Sequence, residues 1–453
     1  MAGAGISGLC TAHWLKRRGL DVLVFEQGSE PGGTMRTDRE EGWLVEAGPN
    51  SALETTPLLG QLLSELGILE QRIYADPAAS RRYILREGEL RAIPMTPSSA
   101  LVTRLWSLKG RLRILKEPFV GRATEEESVA GFVTRRLGKE FLDYAINPFV
   151  AGVYAGDPRT LSIRSAFPKM YALESKYGGL FRGMLALKRE RKGSKNPAGG
   201  SRLLTFSGGM QTLPRSLASE LGDSLVLNAP VERIIPMRAG RNPIHVVTVR
   251  RNGASESIQA SAVVLASPAA ATAAIIRPID PEMSKKLESI YYPPVASVFF
   301  GFKQDQLARP LDGFGFLVPE VEGRQILGSI WSAALFPGRA PEGCVALTTF
   351  VGGARQPGLV SLDDEQLKSL VLKELQSIMG IRGDPLFSRI TRWEHAIPQY
   401  TMGYESVLRA IDRFEQNFRG AFICSNYRGG IAVGDCVSSA SNISEQIVRY
   451  LSG

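Results

Sequence analysis

Gly3-Ala4-Gly5-Ile6-Ser7-Gly8, read together with Asp21-Val22-Leu23-Val24-Phe25-Glu26, decides the fold of this chain. The first stretch is a G-x-G-x-x-G turn. Gly3 makes the tight turn out of a strand, Gly5 lets backbone approach a pyrophosphate, and Gly8 lets the next helix pack close to the sheet. That helix, Leu9 to Arg18 and stopped by Gly19, aims its N-terminal amides and positive dipole end at the phosphates. The spacing alone is a weak signal. The second stretch strengthens it: a short apolar strand ends in Glu26, eighteen residues after Gly8, where a ribose-binding carboxylate is expected. An acid there suits free ribose hydroxyls and repels a 2′-phosphate; the competing reading is a solvated strand-end charge. Only Met1 and Ala2 precede the turn. The expectation is therefore a first strand that is truncated or missing, with translation starting upstream, since that strand is central in a doubly wound sheet.

A second glycine pair follows in Gly28-Ser29-Glu30-Pro31-Gly32-Gly33-Thr34-Met35-Arg36-Thr37. Nicotinamide enzymes do not usually need one just past the acid. A longer dinucleotide does, and the pattern looks like that of FAD proteins of the amine-oxidase-like superfamily, with Pro31 and Glu30 where a basic residue is common.

At 453 residues the chain is long enough for two or three domains. Its 44% hydrophobic and 22% charged content is that of a globular protein. No uninterrupted apolar run of about twenty residues suggests a membrane span, and the N-terminus lacks a secretion-signal layout. Cys10, Cys344, Cys424 and Cys436 are scattered without metal-ligand spacing, which favours a reduced, cytoplasmic setting and no metal. The three histidines, His13, His245 and His395, are too few and too scattered for a histidine metal site or a Ser-His-Asp triad, so chemistry must come from a cofactor. The formal charge of +9 points to an anionic partner. Without a nucleic-acid motif, that partner is a small molecule or a membrane surface.

Along the chain, residues 57–66 read as a helix, and 96–205 as mainly helical. In Leu101 to Lys116, Leu101, Leu105, Leu108, Leu112 and Leu115 recur at three- or four-residue steps among Arg104, Lys109, Arg111, Arg113 and Lys116, with Trp106. This composition suits a helix on an anionic membrane, or equally one on the protein's own core. Residues 188–202, basic and rich in Gly and Ser, read as a mobile loop or a phospholipid contact. Strands are expected at Val226–Ile235, His245–Arg250 and Ala262–Pro268. One clear helix is expected between 280 and 410, at Asp363–Met379, and a last helix ends at Tyr450.

Several segments, in order, resemble the oxygen-dependent protoporphyrinogen and coproporphyrinogen III oxidases: Asn147-Pro148-Phe149-Val150-Ala151-Gly152-Val153-Tyr154-Ala155-Gly156-Asp157-Pro158, Gly313 to Pro319, Phe350 to Ala354, Ile397 to Tyr400, and Gly430 to Cys436. The resemblance covers essentially the whole chain and implies an α/β and α+β architecture. An FAD domain split over residues 1–75, 206–276 and 412–453 would adjoin a mixed-sheet substrate domain (76–95 and 277–411) and a helical, membrane-associated domain (96–205). Carried over by motif, FAD is held by Gly3, Ala4, Gly5, Ile6, Ser7, Gly8, Glu26, Gln27, Gly33 and Thr34. Gly48, Pro49, Asn50 and Ser51 approach the flavin, Val231 meets the adenine side, and Asn426, Ile431, Ala432 and Val433 lie near the flavin at the start of the last helix.

The substrate implied is a colourless tetrapyrrole with propionates. Arg82 matches the propionate-pairing position, with Arg81 its rival; a guanidinium fork suits a carboxylate at any working pH. Leu317, Ile330 and Phe350 match positions that sandwich the macrocycle, while Asn50 and Gly156 shape the space beside the flavin. The implied reaction is hydride transfer from a bridging methylene to the flavin, repeated three times, with O2 taking the electrons and giving H2O2. No side chain is singled out as catalytic: positioning is the protein's work. Protoporphyrinogen IX and coproporphyrinogen III remain alternatives. So do another substrate of an amine-oxidase-like or desaturase enzyme and an inactive flavin- or porphyrin-binding protein. A haem-pathway enzyme downstream is the implied partner.

Overall fold

A computed structural model describes residues 1–94, 103–192, 202–237 and 243–453. Its nucleotide half rests on very short parallel strands. Val24–Phe25 pairs with Leu225–Val226, and Val263–Leu265 pairs with Ala421–Ile423. Ala2 lies between the two pairs, bridged in parallel to Phe25 on one side and Leu265 on the other. Ala2 N donates to Val264 O (2.8 Å), Ala266 N to Ala2 O (2.8 Å), Phe25 N to Met1 O (2.9 Å) and Gly3 N to Phe25 O (2.8 Å). Residues 1–3 thus lie in the centre of this layer.

The helix Ile6–Arg17 leaves this layer at once and packs against the last helix, Val433–Ser452, with Pro57–Glu65 and Thr212–Leu221 alongside. Their common core draws Ala4, Leu9, Val24, Leu62, Leu217, Val264, Cys424 and Val437 from both ends of the chain. His13, on the first helix, is fully buried here. Its Nε2 lies 2.9 Å from Glu65 and its Nδ1 contacts Glu220, so one ring ties the first helix to the two beside it.

The second half is a seven-stranded mixed sheet in the order Phe387–Trp393, Val295–Lys303, Cys344–Gly352, Gly328–Ile330, Gly313–Leu317, Arg81–Arg86, Glu89–Ala92. All neighbours are antiparallel except Gly313–Leu317 with Arg81–Arg86. One face, carrying Tyr83, Val298, Phe300, Phe316 and Leu347, is buried under Leu367, Val371 and Leu375 of the helix Asp364–Met379. The opposite face is shared out. Phe299 and Ala346 meet Trp43 and Val45 of a hairpin (Thr37–Glu40, Trp43–Glu46) that the nucleotide half extends onto the sheet. Ile84 and Leu317 meet Leu105 and Trp106, and Phe350 meets Ala151 and Ala155.

Two expectations need correction. The apolar–basic segment 101–116 is not one helix: the helix runs only from Leu108 to Ile114, and residues 101–102 lie outside the described residues. Leu105 and Trp106 are buried against Ile84, Trp106 stacking on Phe141 at 5.3 Å, because the chain must first close over the sheet edge. Leu108, Leu112, Leu115 and Phe119 remain on the surface. Between 280 and 410, Pro281–Glu288 is a further helix and Glu405–Asn417 begins another. Of the basic loop, 193–201 lies outside the described residues. Among the described residues no helix is long and apolar enough to cross a membrane.

Candidate active site

The cradle for a dinucleotide is assembled from the glycine turn outward. Gly8 sits where a Cβ would lie 2.1 Å from Gly3 O, so only glycine lets the helix start this close to its own turn. Ala4 N donates to Glu26 Oε2 (2.7 Å) and Gly28 N to Glu26 Oε1 (2.8 Å), which fixes the carboxylate at the mouth of the turn. Gly32 N donates to Ala4 O (2.8 Å), so the second glycine pair lies directly on the first. Gln27, Gly33 and Thr34 are exposed beside it. Gly48 passes so close to Thr34 that a Cβ would stand 1.9 Å from Thr34 O. Pro49, Asn50 and Ser51 follow, half-buried. Asn426, Ile431 and Ala432 lead into the last helix, which Val433 opens. Val231 begins the strand Val231–Met237, just past the Glu26-bonded Ala229.

These residues fit FAD. A Cβ on Gly5 would meet nothing within 4 Å, so the turn faces open space. The first helix has no side-chain cap, leaving Ile6 and Ser7 at an uncovered, positive helix end. Glu26 retains lone pairs for ribose hydroxyls.

The sheet register gathers the other candidates. Arg82 pairs with Gly315, Gly315 with Ile330, and Ile330 with Thr348. Two positions along, Ile84 pairs with Leu317, Leu317 with Gly328, and Gly328 with Phe350. Paired residues, and residues two apart, share a face. Arg82, Ile330, Leu317 and Phe350 therefore line one face, with Gly315 and Gly328 lying too close to the neighbouring strand to carry a side chain. Gly152 packs on Leu317, and Gly156 lies beyond it at the end of Asn147–Tyr154.

The choice between Arg81 and Arg82 turns on Asp312. Arg81 is bound to Asp312 at 2.6 Å, and Tyr83 OH donates to the same carboxylate at 2.7 Å. Arg82 makes no ion pair among the described residues; its guanidinium lies over the Phe314 ring, 5.4 Å from the centroid. Asp312 is too distant in sequence to have been matched with either arginine beforehand.

A buried pair beside Asn50 escaped the sequence reading. Glu46 Oε2 accepts from Thr37 Oγ1 (2.6 Å), and Oε1 accepts from Met210 N (2.9 Å) and Arg339 Nη1 (3.5 Å). Arg339 also donates to Thr205 Oγ1 (2.6 Å) and Phe206 O (3.1 Å). Burial pushes the Glu46 carboxyl up to about 7, against the opposing pull of Thr37, Arg339 and the Met210 amide. Both side chains line a small cavity together with Asn50 and Ile330. An acid closing the apolar run Trp43-Leu44-Val45 was the available signal.

Comparison with known proteins places this geometry. The model of the family "Flavin containing amine oxidoreductase" matches residues 6–448. The chain is 33% identical to protoporphyrinogen oxidase 2, chloroplastic/mitochondrial, of Arabidopsis thaliana, over all of this chain and 94% of that protein. It is 26% identical to coproporphyrinogen III oxidase of Bacillus subtilis, over 99% and 97%. A crystal structure from Exiguobacterium sp. 255-15, named "Putative protoporphyrinogen oxidase", superposes with a TM-score of 0.81 at 25% identity, covering 100% and 98%. The chain belongs to the flavin-containing amine oxidoreductases, in the protoporphyrinogen and coproporphyrinogen oxidase line, and is an FAD-dependent oxidoreductase.

Proposed function

We propose that the protein oxidises a porphyrinogen, protoporphyrinogen IX or coproporphyrinogen III, to the porphyrin in haem synthesis, with O2 as final acceptor and H2O2 as product. One observation carries the reading: Arg82, free of any ion pair among the described residues, heads a sheet face that also carries Leu317, Ile330 and Phe350. A large apolar macrocycle with a carboxylate arm matches such a face. Arg82 takes the propionate in its fork. Leu317, Ile330 and Phe350 pack on the ring and exclude water. Asn50 and Gly156 bound the space between ring and cofactor.

FAD, held by Gly3 to Gly8, Glu26, Gln27, Gly33, Thr34, Gly48 to Ser51, Val231, Asn426 and Ile431 to Val433, supplies hydride acceptance when bound. The side chains orient a bridging methylene carbon. Orientation alone is worth up to about 7–11 kcal/mol in the best intramolecular cases, so the scarcity of histidine is no obstacle.

We further propose that the protein rests on an anionic membrane surface; among the described residues no helix is long and apolar enough to cross one. Leu108, Leu112 and Leu115 share one helix face, 59–70% exposed, and Phe119 beyond them is 87% exposed. Lys109 and Lys116 flank the row, and the neighbouring helix Leu180–Lys192 adds exposed Met184 and Leu185. An apolar row rimmed by lysines is the composition of an interfacial anchor.

The test uses purified protein loaded with FAD and offered each porphyrinogen in turn, with porphyrin fluorescence and oxygen uptake followed together. A gain above autoxidation is expected with at least one; no gain despite bound flavin sinks the assignment. Arg82→Ala should raise KM about 10- to 100-fold, the worth of a hydrogen bond to a charged group, with flavin content unchanged. Lost flavin instead would move Arg82 out of the substrate site.

A further inference from the structure

Gln399 and Tyr400, adjacent in the chain, touch two different segments: Tyr154–Gly156 and Asn426–Gly430. Gln399 is 1% exposed. Its Nε2 donates to Tyr154 O (2.8 Å) and Ile397 O (3.0 Å). Both partners are carbonyls, so the amide cannot be turned round without setting oxygen against oxygen. Oε1 must point away from them, and there it has no hydrogen-bond partner among the described residues. What it faces is Gly156: a Cβ at that position would lie 2.3 Å from Oε1 and 3.3 Å from Leu161 Cδ1. While Gln399 stands, residue 156 has no room for a side chain. The adjoining Ala155 is held at φ +49°, and its carbonyl accepts from Ala354 N (2.7 Å). A non-glycine residue in the left-handed region persists only where its surroundings fix it.

The next side chain grips the opposite element. Tyr400 OH donates to Asn426 O (2.6 Å) and accepts from Gly430 N (3.1 Å). Tyr404, 4.6 Å away centroid to centroid, repeats the contact by donating to Tyr427 O (2.7 Å). The backbone between the two grips is pinned as well: Gln399 N donates to Tyr291 O (2.9 Å) and Ser162 N to Tyr400 O (2.8 Å).

Stability alone explains this poorly. A buried amide oxygen without a donor is destabilising, and an apolar residue of similar size would serve a plain core better. Position does explain it.

We propose that Gln399 and Tyr400 form a spacer that sets the separation between the Tyr154–Gly156 wall and the Asn426–Gly430 loop, which makes both of them positioning residues for the hydride transfer. The inference rests on the porphyrinogen reading above, in which the ring fills that gap.

The experiment uses FAD-loaded protein in five forms: wild type, Gly156→Ala, Gln399→Ala, the double variant, and Tyr400→Phe. Anaerobic bleaching of the flavin by protoporphyrinogen IX and by coproporphyrinogen III is followed by stopped flow, alongside the visible spectrum of bound FAD. Gly156→Ala should slow the limiting bleaching rate about 10- to 100-fold, through overpacking against Oε1, with a smaller change in half-saturation. In the Gln399→Ala background the same methyl should cost no more than about twofold, the usual scatter of additive sites. Tyr400→Phe should shift the flavin band and slow bleaching without changing half-saturation. Equal losses from Gly156→Ala in both backgrounds overturn the proposal. So does a Tyr400→Phe protein with wild-type spectrum and rate. Should neither porphyrinogen bleach the wild type, the function reading falls. The spacer is then decided by the flavin band alone: a shift in Gly156→Ala that Gln399→Ala reverses supports it, and an unshifted band overturns it.

Discussion

Glu46→Gln should make the protein more stable above neutral pH, although it removes half of a buried ion pair. Glu46 is 5% exposed, and burial lifts its carboxyl from 4.5 to about 7 despite donors from Thr37, Met210 and Arg339. A carboxyl raised in the folded state binds more protons there than in the unfolded chain. Its contribution is therefore fully present below about 4.5 and is lost as pH rises through about 7. The difference of about 2.5 pH units corresponds to about 3 kcal/mol. Spread over the unfolding entropy of 453 residues, that is about 3 °C in Tm. Glutamine carries no such titration, and Arg339 keeps Thr205 Oγ1 and Phe206 O as partners. Melting curves of wild type and Glu46→Gln at half-unit steps from pH 4.5 to 8.5 should coincide at the acid end, with the variant about 3 °C higher at the basic end. Parallel curves, or a variant that falls below wild type at pH 8, would refute the reasoning. The pair would then be a true ion pair whose loss strands the Arg339 charge.

Three further outcomes are expected. Gly48→Ala, whose Cβ would stand 1.9 Å from Thr34 O, should push the turn open and release FAD; gel filtration with absorbance at the flavin band measures retention. Arg136→Met leaves Glu117 (2.8 Å) buried without its cation, while Glu174 keeps Arg135 (3.0 Å), a loss of about 3–5 kcal/mol that urea titration of the protein's unfolding would detect. Leu112→Ser with Leu115→Ser should lower binding to anionic phospholipid vesicles about tenfold or more, leaving binding to neutral vesicles nearly as weak as before.

The nucleotide half was legible in the sequence because its chemistry is local. A glycine turn, a helix and a strand-end acid fall within one short stretch, and each residue's task follows from its spacing. The place of Ala2 between two strands was not legible, because tertiary pairing with Phe25 and Leu265 decides it. On the sheet, the resemblance supplied Arg82, but only Asp312 separates it from Arg81. The 101–116 segment had the right period and the wrong extent. Periodicity says that leucines share a stripe; it does not say that Leu105 and Trp106 turn inward at Ile84 while Leu108 onward stays outside. His13 looked ordinary because Glu65 and Glu220 lie far along the chain. The Glu405–Asn417 helix was missed, since Asp363–Met379 was the one clear helix expected between 280 and 410.

The core that joins Leu9, Leu62, Leu217, Val264 and Val437 has a consequence for biosynthesis. A chain emerging from the ribosome can close the Val295–Lys303 and Cys344–Gly352 ladder long before its last helix exists. The floor under the glycine turn cannot close until residues 433–452 have emerged and folded back against the first helix. Contacts of such long sequence separation form late. Cofactor capture is then the closing event of folding. A nascent chain stalled before its final turns of helix would carry a finished sheet, no flavin, and an open apolar seam for quality control to find.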